Sequence, residues 1–192
     1  MSLPSDILHF WFGAPGSAIR GTQREEWFRK DPAFDEEIRR HFAAATEAAA
    51  RGELDRWQAD RESALALVIL LDQFPRNLHR GSPKAFAADA KAREVADAAI
   101  ARGYDLTFPS CERLFFYLPF EHSENLADQE RALDLFKRLA EDDPARADTV
   151  PYAIRHHEIV KRFGRFPHRN EALGRESTEA EIAFLKEPMS SF

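Results

Sequence analysis

The sequence predicts an all-α protein, and three observations lead to that reading. Helix start and stop signals succeed one another along the chain. The longer apolar segments repeat with the helical period of 3.6 residues, and strand-like alternation of apolar and polar residues is absent. Ser5-Asp6 can cap a short first helix, Ile7 to Phe12, which stops at Gly13 with Pro15 and Gly16 beyond. Thr22 and Glu25 have the spacing of a capping box in front of Trp27 and Phe28. Asp31-Pro32 pairs an N-cap with proline at the first helical position, and this helix should run to about Arg51 with Gly52 as its stop. Ser82-Pro83 repeats the start signal for a helix ended by Gly103. Ser110, Ser123 and Thr149 offer further caps, and Thr178 with Glu181 a second capping box.

Two helices stand out. From Ala64 to Leu71 every residue is apolar, so no side of this helix suits water and it should lie at the centre of the fold. Between Val150 and Phe163 the apolar residues form two stripes, one of Val150, Ala153, Ile154 and Val160, the other of Tyr152, Ile159 and Phe163. Such a helix is expected to be sandwiched, with Arg155, Glu158 and Arg162 on its wet side. Helix–loop–helix units with short loops suggest a bundle or a helical solenoid, although no repeat near the tetratricopeptide period of about 34 residues is visible. No low-complexity linker interrupts the chain, which reads as a single helical domain over residues 1–192.

Composition excludes several classes. The 44% hydrophobic and 31% charged content is that of a globular chain able to bury a core. A net charge of −6 argues against broad nucleic-acid binding. One cysteine, Cys111, rules out an internal disulfide framework and suits a reducing cytoplasm. No charged stretch leads into an apolar one at the N-terminus, so no signal peptide is expected. The run from Ala64 to Leu71 is too short to span a bilayer, which takes about 20 residues.

The chemistry concentrates in three segments built alike, each an apolar run ending at a proline and followed at once by polar residues. They are Leu70 to Asn77, Phe115 to Glu124, and Phe163 to Asn170 with its continuation to Gly174-Arg175. Proline disfavours helix in the residue before it, so each should be a helix end or kink. Polar side chains there can satisfy the unpaired backbone groups or bind a ligand. The strings LDQFPRN (71–77), YLPFEHSE (117–124) and RFGRFPHRN with LGREST (162–178), together with ILHFWFG (7–13), resemble those of a family of bacterial proteins named domain of unknown function 924. The resemblance covers essentially the whole chain. It implies a tetratricopeptide-like α–α superhelix of about seven to nine helices, and it implies no activity.

Asp72 and Gln73 close a helix expected to be buried, so their polar groups need partners, Asp72 from a loop arginine and Gln73 from a neighbouring turn. Arg165, His168, Arg169 and Arg175 crowd cationic and titratable groups into one stretch of an acidic chain. Guanidinium forks suit carboxylate or phosphate, and histidine moves protons near neutrality. The structural counterpart is a lattice in which the arginines pin the C-terminal segment to Asp72, Glu121 or Glu124. His122 can be a base, a ligand or a helix-start residue. His156 and His157 read as core histidines, and Cys111 as packing. The spacings of di-iron bundles, zinc proteases, phosphate loops and dinucleotide sites are missing, so neither metal nor cofactor is expected.

Two functions follow. In the first, a small anionic molecule is held by Arg76, Asn77, Arg165, Arg169, Asn170, Arg175 and Gln73, with His168 or His122 handling a proton and Asp72 or Glu121 orienting it. In the second, the chain is a non-enzymatic helical scaffold whose arginines clamp an acidic peptide. The first requires distant segments to converge.

Overall fold

The computed structural model describes residues 3–191. Ten α-helical segments run through them, joined by 3₁₀ turns, and no strand occurs among the described residues. The described residues group into two compact units, 3–80 with 84–119, and 81–83 with 120–191.

In the first unit, α1 (Pro4–Phe12) begins one turn ahead of the expected cap. Pro4 occupies the first helical position, and Asp6 reaches back to accept the Leu3 N–H at 2.9 Å. α2 (Pro32–Ala50) starts as its sequence predicts, Asp31 Oδ1 accepting from Ala33 N at 2.9 Å and Phe34 N at 3.2 Å. Gly52 follows with φ +86°, the left-handed conformation that glycine adopts without a Cβ penalty. Thr22 caps nothing: its hydroxyl donates to the Ile19 carbonyl, and only a 3₁₀ turn, Glu25–Trp27, follows. Asp60 is the cap of α3 (Arg61–Val68), accepting from Glu62 N and Ser63 N.

α3 does not end at the LDQFPRN segment. It widens into a π turn, Ile69–Gln73, and continues as α4 (Phe74–Leu78) through Pro75. Proline lacks an N–H and its ring collides with the carbonyl four residues back, so a regular α-helix could not pass here. The wider turn, in which Phe74 N–H reaches back five residues to the Ile69 carbonyl, accommodates it. Every residue from Ala64 to Leu71 is buried, as a helix apolar on all sides must be. α1 and α5 (Asp89–Ala101) pack on α3, and α2 packs along the π turn and α4. Ser82-Pro83 initiates only a 3₁₀ turn, and α5 starts at Asp89. An aromatic cluster of Trp11, Trp27, Phe34, Phe74 and Phe115 fills the core, with ring centroids 5.0–6.1 Å apart. Each such ring stabilises the fold by about 1.5–3 kcal/mol. α6 (Ser110–Arg113) contributes the buried Glu112, which accepts two hydrogen bonds from Arg20, 92 residues away.

α7 (Leu118–Glu121) leads the chain into the second unit. There α8 (Leu126–Asp142) and α9 (Thr149–Phe163) pack together, and α10 (Glu179–Phe184) adds Phe184 to a core of Ile159, Val160 and Phe166. Asn125, rather than Ser123, caps α8, accepting from Ala127 N. Ser110 and Thr149 lie inside the first turns of α6 and α9 instead of capping them. Thr178 and Glu181 form the expected capping box of α10. α9 is not sandwiched. It buries a single face of Ala153, His156, Ile159 and Val160 and leaves Tyr152 53% and Ile154 39% exposed. Residues of both stripes meet on that one face, Ala153 and Val160 from the first and Ile159 from the second, while Ile154 and Tyr152 are left outside it.

Candidate functional site

The candidate residues of LDQFPRN lie in the first unit and form one network around the π turn. Asp72 is wholly buried and accepts from Gln73 Nε2 at 2.6 Å. Arg76 donates from Nη1 to the Asp72 carbonyl at 2.6 Å and grips both oxygens of Asp89 at 2.9 and 3.0 Å. Its guanidinium also lies over the Phe86 ring. Asn77 donates to Asp35, which binds Arg80 in a bidentate pair. Burial pushes the Asp35 carboxyl upward, but the hydrogen bonds from Arg80 and Asn77 outweigh it and hold the group below its ordinary value. Arg76 and Arg80 are thus paired with carboxylates of their own unit, Arg76 beside Asp72 as a partner for that buried carboxylate requires, and the polar groups at the bulge are occupied by the protein itself.

The segment from Phe115 to Glu124 divides at the unit boundary. On the first-unit side Tyr117 is buried; its hydroxyl donates to Asp105 Oδ2 at 2.7 Å and accepts from Arg113 Nε. Burial and the Asp105 hydrogen bond raise the Tyr117 hydroxyl far above its ordinary range. On the second-unit side Glu121, His122 and Glu124 meet the third motif, which folds as a 3₁₀ turn, Pro167–Arg169.

Phe166, fully buried, is the hub of this meeting. The Arg169 guanidinium lies 4.5 Å from its ring centroid, the His156 ring 5.5 Å and the His168 ring 5.6 Å. Arg169, only 6% exposed, donates from Nη1 to the His122 carbonyl at 2.9 Å. His156 Nδ1 lies 2.9 Å from the Tyr152 carbonyl and 3.7 Å from Glu121 Oε1. Burial is the main reason that the His156 imidazole is pushed down to about 3; the Tyr152 carbonyl acts against this, and the neighbouring His122, Arg169 and His168 act with it. His156 is therefore neutral at pH 7, with a proton on Nδ1 directed to the carbonyl and the lone pair on Nε2. Gln129 secures the turn from below, donating to the carbonyls of Glu121 and Ser123, each at 2.6 Å.

Arg165, Arg175 and Asn170 frame this corner. Arg165 pairs with both oxygens of Glu181, at 2.6 and 2.8 Å. Arg175 takes both oxygens of Glu124, at 2.7 and 2.9 Å, and also donates to Asn170 Oδ1. Glu124 in turn accepts the Phe166 N–H at 2.8 Å. Burial raises the Glu124 carboxyl, and the Arg175 and Phe166 hydrogen bonds more than reverse it. The structure thus brings together Glu121, His122, His168, Arg169, Asn170 and Arg175 within the second unit, while Asp72, Gln73, Arg76 and Asn77 belong to the network of the first. His156 is the core histidine that the sequence suggests, whereas His157 is only half-buried. Sequence reasoning passed over Phe166 and Gln129.

Two hollows in the first unit border the loop after α1. One of about 370 Å³ is lined by Arg24, Glu25, Glu26 and Arg29 among others, and one of about 270 Å³ by His9, Arg20 and Glu62 among others. Among the described residues no group of three His, Cys, Asp or Glu side chains is arranged to hold a metal ion, and no helix is long and apolar enough to cross a membrane.

A helical chain with this site falls in a class already delineated by sequence. Residues 7–189 match the model of the family described as bacterial protein of unknown function (DUF924), and the chain belongs to that family. It is similar to the solved structure of a protein of unknown function from Agrobacterium tumefaciens, at 45% identity and a TM-score of 0.84, over 95% of this chain and 96% of that one. No curated protein matches it.

Proposed function

We propose that the second unit binds one small anion, a carboxylate or a phosphate, at the corner formed by His122, His168 and Arg169. The observation behind this is the gathering around Phe166 of one guanidinium and two imidazoles, drawn from helix α9 and the third motif, with the His122 backbone tied to Arg169. Arg169 supplies a charge held rigid by ring stacking and a backbone carbonyl, which lowers the ordering cost of binding. His122 and His168 are each partly exposed, so they can meet a ligand and exchange a proton with solvent. Glu121 stands beside the cluster to orient an imidazole. Arg165, Arg175, Asn170 and the Asp72–Gln73–Arg76–Asn77 network serve as framework in this reading, because their polar groups already hold one another.

Thermal-shift titration with acetate, phosphate and sulfate tests it. A saturable stabilisation is expected in the wild type and is lost in His168→Ala and Arg169→Ala. No saturable shift with any of the three, or an equal shift in both variants, refutes it. The second reading, a tetratricopeptide-like scaffold for an acidic peptide, draws on the exposed Tyr152 and Ile154 of α9. It expects a fluorescent acidic peptide to bind and Tyr152→Ala to weaken it, with the small anions inert. The single cysteine, Cys111, buried in the first unit, is consistent with a reducing cytoplasm, where we place the protein.

A further inference from the structure

We infer that the hollow of about 270 Å³ in the first unit binds a small α-amino acid in its zwitterionic form, with the ligand carboxylate on Arg20 and its ammonium on Glu62. Its residues all belong to the first unit, so it stands or falls apart from the anion site of the second.

Three stretches of chain build the hollow. Ser5, Leu8 and His9 stand at i, i+3 and i+4 and therefore share one face of α1. Pro15 and Arg20 come from the loop that follows α1, and Glu62 comes from the first turn of α3, which packs against α1. The loop is fastened at two points. Gly13 turns the chain at φ +92°, and a Cβ there would lie 2.5 Å from Ile19 Cγ1, so a larger residue would displace the loop. Arg20 donates from Nε and Nη2 to the two oxygens of the wholly buried Glu112, each at 2.8 Å, and from Nη1 to the Gly13 carbonyl at 3.4 Å. The Arg20 side chain is thus held in place before any ligand arrives, which lowers the ordering cost of binding.

A ligand is offered the bonding capacity that these contacts leave over. A guanidinium carries five N–H donors. Three of those on Arg20 are engaged; the other two, one on each terminal nitrogen, have no acceptor among the described residues and suit the two oxygens of a carboxylate. The side chains of Glu62, His9 and Ser5 make no ion pair or hydrogen bond with another described residue. Glu62 matches an ammonium group, His9 and Ser5 add hydrogen-bonding groups, and Leu8 and Pro15 give an apolar wall for a short aliphatic side chain. A simple anion would meet the charge of Glu62, with Glu112 already on Arg20, and a simple cation would leave the spare Arg20 donors unused. A zwitterion satisfies both ends. The volume lies below the roughly 300–1,000 Å³ of pockets for drug-sized ligands, as an occupant of amino-acid size requires. The larger hollow has no such surplus. There Arg24 donates to the Phe10 and Trp11 carbonyls, and Arg29 is paired with Glu25 and Asp31.

Calorimetry on the intact chain with alanine, valine and leucine near neutral pH tests this, and amide NMR locates the site. Saturable binding of at least one of the three is expected, with shifts centred on α1, the loop after it and the start of α3. For the tightest binder, the amine lacking its carboxylate and the acid lacking its ammonium (isoamylamine and isocaproate in the case of leucine) should each bind at least about tenfold more weakly. Glu62→Gln, a change at an exposed position, should weaken the amino acid by a similar factor. Arg20→Lys, which keeps a cation for Glu112 but removes the planar set of donors, should do the same; if that variant does not fold, Glu62→Gln and the two fragments decide alone. Arg29→Gln, at the other hollow, should leave the affinity unchanged. No saturable binding of any of the three amino acids overturns the site, as do shifts confined to the second unit. A fragment that binds as tightly as its parent overturns the zwitterion, and an unchanged affinity in Glu62→Gln overturns the placement of the ammonium.

Discussion

Replacing His156 by asparagine should make the protein more resistant to mild acid. The side chain is 5% exposed, and its protonated form is disfavoured by burial first and by His122, Arg169 and His168 around it. Its folded value of about 3 lies below the ordinary value of 6.5 that it regains on unfolding. Between those values the unfolded chain binds a proton that the folded chain refuses, so the group costs stability increasingly as the pH falls below 6.5, and the loss stops growing near 3. At about pH 5 the unfolded imidazole is some 1.5 pH units below its midpoint, and at about 1.36 kcal/mol per unit the loss is about 2 kcal/mol. At about pH 7 the same term is about 0.2 kcal/mol. The result is insensitive to the folded value, because any midpoint below about 4 gives nearly the same loss at pH 5. Asparagine keeps a donor for the Tyr152 carbonyl and does not titrate. Urea unfolding followed by circular dichroism at the two pH values, on both proteins, isolates the term, since all other titrating groups are common to them. Wild type should lose about 2 kcal/mol more than the variant on going from pH 7 to pH 5. Equal losses in the two proteins would refute the burial of a neutral His156, and with it the charge arrangement around Phe166.

Glu124→Ala should destabilise the second unit by about 2–4 kcal/mol, since it strips both the Phe166 N–H and the Arg175 guanidinium of an acceptor. Glu124→Gln, which keeps an acceptor oxygen, should cost less in the same denaturant assay, and equal costs would deny the charge any role. Trp27 Nε1 donates to the Trp11 carbonyl at 2.9 Å, whereas the buried Trp11 Nε1 has no hydrogen-bond partner among the described residues. Trp27→Phe should therefore cost about 1 kcal/mol more than Trp11→Phe in thermal or chemical unfolding; the reverse order would contradict the geometry. Removing Arg165 by Arg165→Met frees the Glu181 carboxylate, which that guanidinium holds down to about 2. The variant should expose the segment after Gly174 to limited proteolysis at neutral pH, and an unchanged digestion pattern would show that the pair does not fasten it.

Signals that act over three or four residues were legible before the fold was known. Asp31-Pro32 and Thr178 with Glu181 cap their helices as the spacing predicts, because the acceptor and the donors it satisfies are neighbours in the chain. The burial of Ala64 to Leu71 was equally readable, since a helix with no polar face has only one place to go. Where two signals compete locally, the reading slipped. Ser82-Pro83 and Thr22 have cap chemistry but no helix to cap, and α4 runs through Pro75 because a π turn absorbs the missing donor. The site was legible as three dense polar segments and illegible as a geometry.

The chain alone determined that the protein is helical, where α2 and α10 begin, and which residue types its polar segments would offer. Tertiary structure decided which carboxylate each guanidinium would meet: Glu124 for Arg175 across 51 residues, Glu112 for Arg20 across 92, Asp89 for Arg76 after a bulge in the helix. It decided as well that α9 would leave Tyr152 in water. The physical reason is common to these cases. A cap is chosen by neighbours along the backbone, whereas the partner of a buried charge is chosen by whatever group packing brings within about 3 Å, and one sequence pattern is compatible with many such choices.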